Sequence, residues 1–142
     1  MKKQIILKSL SFAILIFTLN SCKKDPAKTS LQEEQIEGTV LKSGNFVSNG
    51  HPTSGTVKLV TSNNADSIHL VFENFATDAG PDLRVWISSS TDPVTYKEIG
   101  ILKATNGNFS YKTPISYDYT TLNKVLIWCI DFSVLFGHAT LN

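Results

Sequence analysis

Apolar residues recur in this chain as short alternating runs, and no helix-length apolar stripe follows residue 37. Thr56-Val57-Lys58-Leu59-Val60 alternates over its first four residues. In Ser67-Ile68-His69-Leu70-Val71-Phe72-Glu73 the same period puts Ile68, Leu70 and Phe72 on one face. Asp82-Leu83-Arg84-Val85-Trp86-Ile87-Ser88 likewise gathers Leu83, Val85 and Ile87. Val125 to Phe132 is apolar on both parities, the pattern of a central strand covered on both faces. Turn formers separate the runs: Ser62-Asn63-Asn64, Asp78-Ala79-Gly80-Pro81, Ser89 to Pro93, and Thr113-Pro114. Asn106-Gly107 sits between Ile101-Leu102 and Phe109-Ser110-Tyr111, which predicts a two-residue hairpin. Short strands at this spacing define an all-β class: a single antiparallel β-sandwich or barrel-like domain over residues 38–142. That length suffices for one core.

Residues 1–21 read differently. Lys2, Lys3 and Lys8 precede an apolar core from Leu10 to Leu19. Such a run of roughly ten residues suits a signal peptide and is too short for a bilayer, which takes about 20. Leu19-Asn20-Ser21-Cys22 resembles the lipobox of bacterial lipoproteins, which implies a palmitate-type acylated Cys22 and a membrane held through lipid. The simpler alternative is a secretory signal with a chance Cys. Lys23 stands where the bacterial lipoproteins it resembles carry a retention Asp, so in a Gram-negative cell the expected address is the outer membrane, on its periplasmic or surface side. Residues 22–37 then form a polar tether spanning about 20 Å as a coil, with a weak capping box at Ser30 allowing a short helix.

With 13 basic and 12 acidic residues the chain carries a formal +1, and loss of the three leader lysines leaves −2. No basic, aromatic-interleaved patch suggests nucleic acid. There is no Gly-x-Ser-x-Gly elbow, no P-loop and no paired-carboxylate motif, so the reading is not of a stand-alone enzyme.

Cys129 is the remaining thiol, set in Val125-Leu126-Ile127-Trp128-Cys129-Ile130. It differs in fate from Cys22, so the two do not form an intrachain disulfide. Apolar neighbours argue for burial, and no Lys, Arg or His lies within four residues to favour the thiolate. Asp82 opens a strand after Gly80-Pro81; it either accepts turn N–H groups or orients a proton or ligand near Cys129. His51, His69 and His138 lack metal-like spacing, which leaves a metal or haem site as the weaker alternative and no cofactor as the expectation. Trp86 and Trp128 belong either to the core or to the floor of a ligand-binding face.

In order and spacing, several segments resemble the "electron transfer DM-thirteen" domain family. They are Gly44-Asn45-Phe46 with His51-Pro52-Thr53-Ser54-Gly55, Leu70 to Phe75, Gly80-Pro81-Asp82-Leu83-Arg84-Val85-Trp86, Leu102-Lys103, Val125 to Cys129, and Phe136 to Leu141. The resemblance implies a β-rich extracytoplasmic module and a redox role for the motif Cys, here Cys129; Asp82 and Trp128 are the candidate supporting residues beside it. The expected function is therefore lipid-anchored electron transfer with an envelope redox protein as partner. The alternative is a non-catalytic binding or adhesion module with an inert Cys129.

Overall fold

The computed structural model describes residues 31–32 and 36–142; Cys22 and the leader lie outside the described residues. The described chain contains strands and turns but no helix. Nine strands run as β1 (Leu31–Gln32), β2 (Gly38–Ser48), β3 (Thr53–Ser62), β4 (Ile68–Thr77), β5 (Leu83–Ser88), β6 (Tyr96–Ile101), β7 (Asn106–Thr113), β8 (Lys124–Cys129) and β9 (Val134–Thr140). They hydrogen-bond in the order β1-β7-β4-β3-β2-β9-β8-β5-β6. Every pairing is antiparallel except the short β1–β7 contact, where Leu31 aligns with Gly107. The expected all-β architecture takes the barrel-like form.

One long strand makes the curl possible. Residues of β2 from Gly38 to Asn45 pair with β3, whereas Phe46 to Ser48 pair with β9. The strand thus leaves one half of the sheet and enters the other, with a register shift between Val40 and Lys42 helping it bend. At the far ends β6 and β7 approach without forming a ladder. Tyr111 bridges them: its hydroxyl donates to Ile101 O at 2.9 Å and accepts Lys103 N–H at 2.8 Å.

Period-2 alternation then fills the interior. Val57, Leu59, Leu70, Phe72, Phe109 and Tyr111 come from one half, and Leu83, Val85, Ile87, Val125, Ile127 and Phe136 from the other. Phe72 stands at the centre of the first group, with ring centroids 4.8 Å from Phe109, 5.4 Å from Phe75 and 5.5 Å from Phe46. Contacts of this kind add about 0.5–1.5 kcal/mol each beyond the area buried.

Two local expectations are corrected. Asn106-Gly107 is not a hairpin turn: both residues are inside β7, aligned with Ala76 and Phe75 of β4. Gly107 has φ 107°, and the ladder slips between Phe72 and Phe75, so the positive-φ residue serves a bulge instead. The β8 strand stops at Cys129 and does not reach Phe132, because the chain turns over Ile130 to Ser133 to start β9. Ser133 takes φ 50° and its N–H bonds Ile130 O at 3.2 Å. Phe132 is left exposed at the tip.

Candidate functional site

Cys129 ends β8, between Leu83 of β5 and Val134 of β9 in register. With Val125 and Ile127 it faces inward, and the sulfur-bearing side chain is fully buried in the core cluster. It is the free thiol of the described domain. Its surroundings are apolar by construction: the inward parity of β8 and β5 contributes only Val, Ile, Leu and this Cys. The adjacent backbone is pinned, since Ile130 N–H bonds Asp82 O at 3.0 Å.

Trp128 and Asp82 occupy the other side of the sheet. Strand alternation sends Asp82, Arg84 and Trp86 outward while Leu83, Val85 and Ile87 go in. Asp82 is gripped by Arg84, whose Nε donates to Oδ1 at 2.5 Å and Nη2 to Oδ2 at 3.1 Å. Those bonds hold the carboxyl below its ordinary value of 3.8, and they raise the guanidinium in return. Arg84 Nη1 also donates to Glu98 Oε1 at 2.9 Å, and Glu98 Oε2 accepts the Trp86 Nε1 proton at 3.2 Å. The structure therefore brings Asp82 and Trp128 to one face and leaves Cys129 on the opposite one.

That outer face carries a stack of three rings. Trp86 lies 4.0 Å from Tyr96 on β6 and 5.1 Å from Trp128 on β8, nearly parallel to both. Leu126, which shares the outward parity of Trp128, is fully buried beneath this layer. The doubly apolar pattern of β8 has its explanation here: core on one side, aromatic layer on the other. Arg84 and Trp86 were visible in the sequence as the parity opposite the Leu83-Val85-Ile87 stripe. Tyr96 and Glu98 were not, because β6 (Tyr-Lys-Glu-Ile-Gly-Ile) lacks an alternating apolar face.

The histidines disperse. His51 stacks on Phe136 at 3.8 Å with Nδ1 3.0 Å from Asp78 Oδ2. His69 Nε2 meets Ser67 Oγ at 3.1 Å, and His138 Nδ1 meets Asn49 Oδ1 at 2.7 Å. Among the described residues no group of three His, Cys, Asp or Glu side chains is arranged to hold a metal ion. A groove of about 430 Å³ runs over the outer side of β3, β4 and β7, past the Lys58–Glu73 ion pair and Asn108, and neither Cys129 nor Trp86 lines it.

Fold and site together define a curled antiparallel β-domain with an enclosed thiol on one face of β8 and stacked aromatic rings on the other. The family model for electron transfer DM13 matches residues 45–141, a span that holds Cys129, Asp82 and the whole ring stack. The chain belongs to the electron transfer DM13 family. Neither the curated proteins nor the solved structures yield a match.

Proposed function

We propose that this chain is a lipid-anchored, extracytoplasmic electron-transfer domain in which Cys129 is the redox residue. The observation that carries the reading is the position of Cys129: a free thiol fully enclosed in the region matched by an electron-transfer family. Enclosure discriminates between the two ways a thiol can act. A mixed disulfide requires a partner sulfur to reach Sγ, which for Cys129 means local opening of β8 and its neighbours. Passing an electron requires proximity but no contact with the sulfur. The second route needs no opening of the sheet, but the thiol proton must leave with the electron, to a base supplied by the redox partner or by solvent. Leader, lipobox and polar tether support acylation at Cys22, an outer-membrane address and an envelope redox protein as partner.

Mass spectrometry of the protein isolated from its native envelope tests both halves at once. The expected result is acyl chains on Cys22 and a Cys129 whose oxidation state follows that of the envelope partner. A Cys129 that stays a thiol under every envelope redox condition removes it from the function.

A second reading has its own support. Full burial also suits a structural thiol, and then the domain is a binding module of the envelope. In that case Cys129→Ala leaves partner binding unchanged in a folded protein.

A further inference from the structure

Trp86 is 5% exposed, although it faces away from the core. Tyr96 covers one side of its indole at 4.0 Å and 19°, and Trp128 lies on the other at 5.1 Å and 17°. A sugar or planar ligand has no free indole face to lie on there, so the layer is not a binding platform at Trp86. Three rings in contact across β6, β5 and β8 are, however, a short path for charge. Tyr96, 42% exposed, is the more open end of that path, and Trp128 at the other end is partly covered.

The indole proton is also provided for. A tryptophan that loses an electron becomes acidic at Nε1. Here Nε1–H already points at Glu98 Oε2, 3.2 Å away. The other oxygen of Glu98 is held by Arg84, and Arg84 is fixed in turn by Asp82. This carboxylate is oriented by an ion-pair network and keeps one oxygen for the indole.

We propose that Trp86 is a one-electron redox site reached through Tyr96, with Trp128 sharing the charge and Glu98 holding the indole proton. A high-potential metal-centred oxidant at Tyr96 takes one electron from the stack and is itself reduced by one unit. The Nε1–H bond of Trp86 breaks and its proton passes to Glu98 Oε2, leaving a neutral indole radical. A one-electron reductant of the ascorbate class returns the electron, and the proton goes back from Glu98 to Nε1. The inference rests on the electron-transfer reading of the domain and is independent of Cys129.

The test uses the full chain in detergent and photogenerated tris(bipyridine)ruthenium(III) as oxidant, followed by transient absorption and electron paramagnetic resonance. The chain has two tryptophans, so assignment is between Trp86 and Trp128. A neutral tryptophan radical is expected in the parent protein. Trp86→Phe should lower its yield several-fold, and Tyr96→Leu should slow its formation several-fold. Glu98→Gln should replace it with the protonated radical cation, a change that a purely structural role would not produce. If Trp86→Phe fails to fold, the Glu98→Gln and Tyr96→Leu results decide. An unchanged neutral radical in Glu98→Gln, or an unchanged yield in folded Trp86→Phe, overturns the proposal. In Cys129→Ala the radical should persist. Its loss there moves the redox site to the thiol and ends this proposal while leaving the electron-transfer reading intact. Absence of any radical in the parent protein ends the proposal alone, unless Cys129 is also redox-silent in the envelope, when both readings fall.

Discussion

Trp128 and Cys129 are consecutive residues on β8 and serve opposite sides of the same sheet. The indole stacks outward on Trp86 at 5.1 Å, while the thiol lies inward among Leu83, Ile127 and Val134. One dipeptide therefore supplies both the buried thiol and one ring of the outer stack. Their separation across the sheet means that each can be altered while the other keeps its surroundings.

Cys129 should be far more sensitive to polarity than to size. Cys129→Ser places a hydroxyl in an apolar pocket and is expected to cost about 1–3 kcal/mol, whereas Cys129→Ala should cost less than the serine. Urea unfolding of the two variants checks the order. A serine variant as stable as the alanine one would mean that the pocket offers a polar partner.

The Tyr111 hydroxyl makes two hydrogen bonds across the seam between β6 and β7. Tyr111→Phe removes the acceptor for Lys103 N–H and the donor to Ile101 O together. The expected loss is about 0.5–1.5 kcal/mol, the net worth of a hydrogen bond, because Ile101 is largely exposed and water can take the place of the hydroxyl. Amide exchange should accelerate in residues 96–103 more than in β3 or β4. Uniform acceleration across the sheet would show that the seam does not close the barrel.

Gly137 leaves no space for a side chain. A Cβ there would meet Thr53 Cβ at 2.4 Å and its Oγ1 at 2.5 Å, and Thr53 is itself buried. Thr53 cannot rotate freely, because Oγ1 is held by His51 O and Thr77 Oγ1 at 3.1 Å. Gly137→Ala should cost about 1–3 kcal/mol by overpacking, and Thr53→Ala should relieve part of that loss in the double variant. Thermal denaturation of the four proteins in the cycle reads the coupling.

Acid should act in two stages. Burial, and then the charge of Lys124, lower His138 from its ordinary value of 6.5. The unfolded chain thus binds this proton first, so stability declines as pH falls below about 6.5 toward the lowered folded value. Asp66, Asp82 and Asp118 are held below 3.8 chiefly by their hydrogen bonds to Ser62, Arg84 and Thr121. Their contribution is intact above 3.8 and is lost as pH falls through the lowered values. His138→Gln should flatten the first stage of a melting-temperature profile and leave the second unchanged.

The core strands were the easiest part to read from sequence. Leu70 and Phe72, Leu83 through Ile87, and Val125 through Cys129 all alternate or fill both parities, because burial on one or two faces writes its period directly into the residues. β2 and β6 left no such mark. Most of β2 is exposed on both parities, and β6 is a peripheral strand with mainly polar or half-covered residues. The Asn106-Gly107 signal was real but ambiguous, since positive φ serves a bulge as well as a turn. In the candidate site, the burial of Cys129 was legible from its apolar neighbours. The company of Asp82 was not: its partner Arg84 lies two residues on, but Glu98, Trp86 and Tyr96 join the group only through the pairing of β5 with β6.

The division of β2 between two partners has a mechanical consequence. Its first part is zipped to β3 and its last three paired residues to β9, with no linker in between. Neither half of the barrel can therefore detach as a hinged lobe without tearing a strand out of the other. A load applied at Gly38, the start of β2, would enter both halves through this one strand. Resistance to pulling should depend on β2 more than on the outer strand β6, and fragments cut within residues 45–46 should find no stable half to fold into.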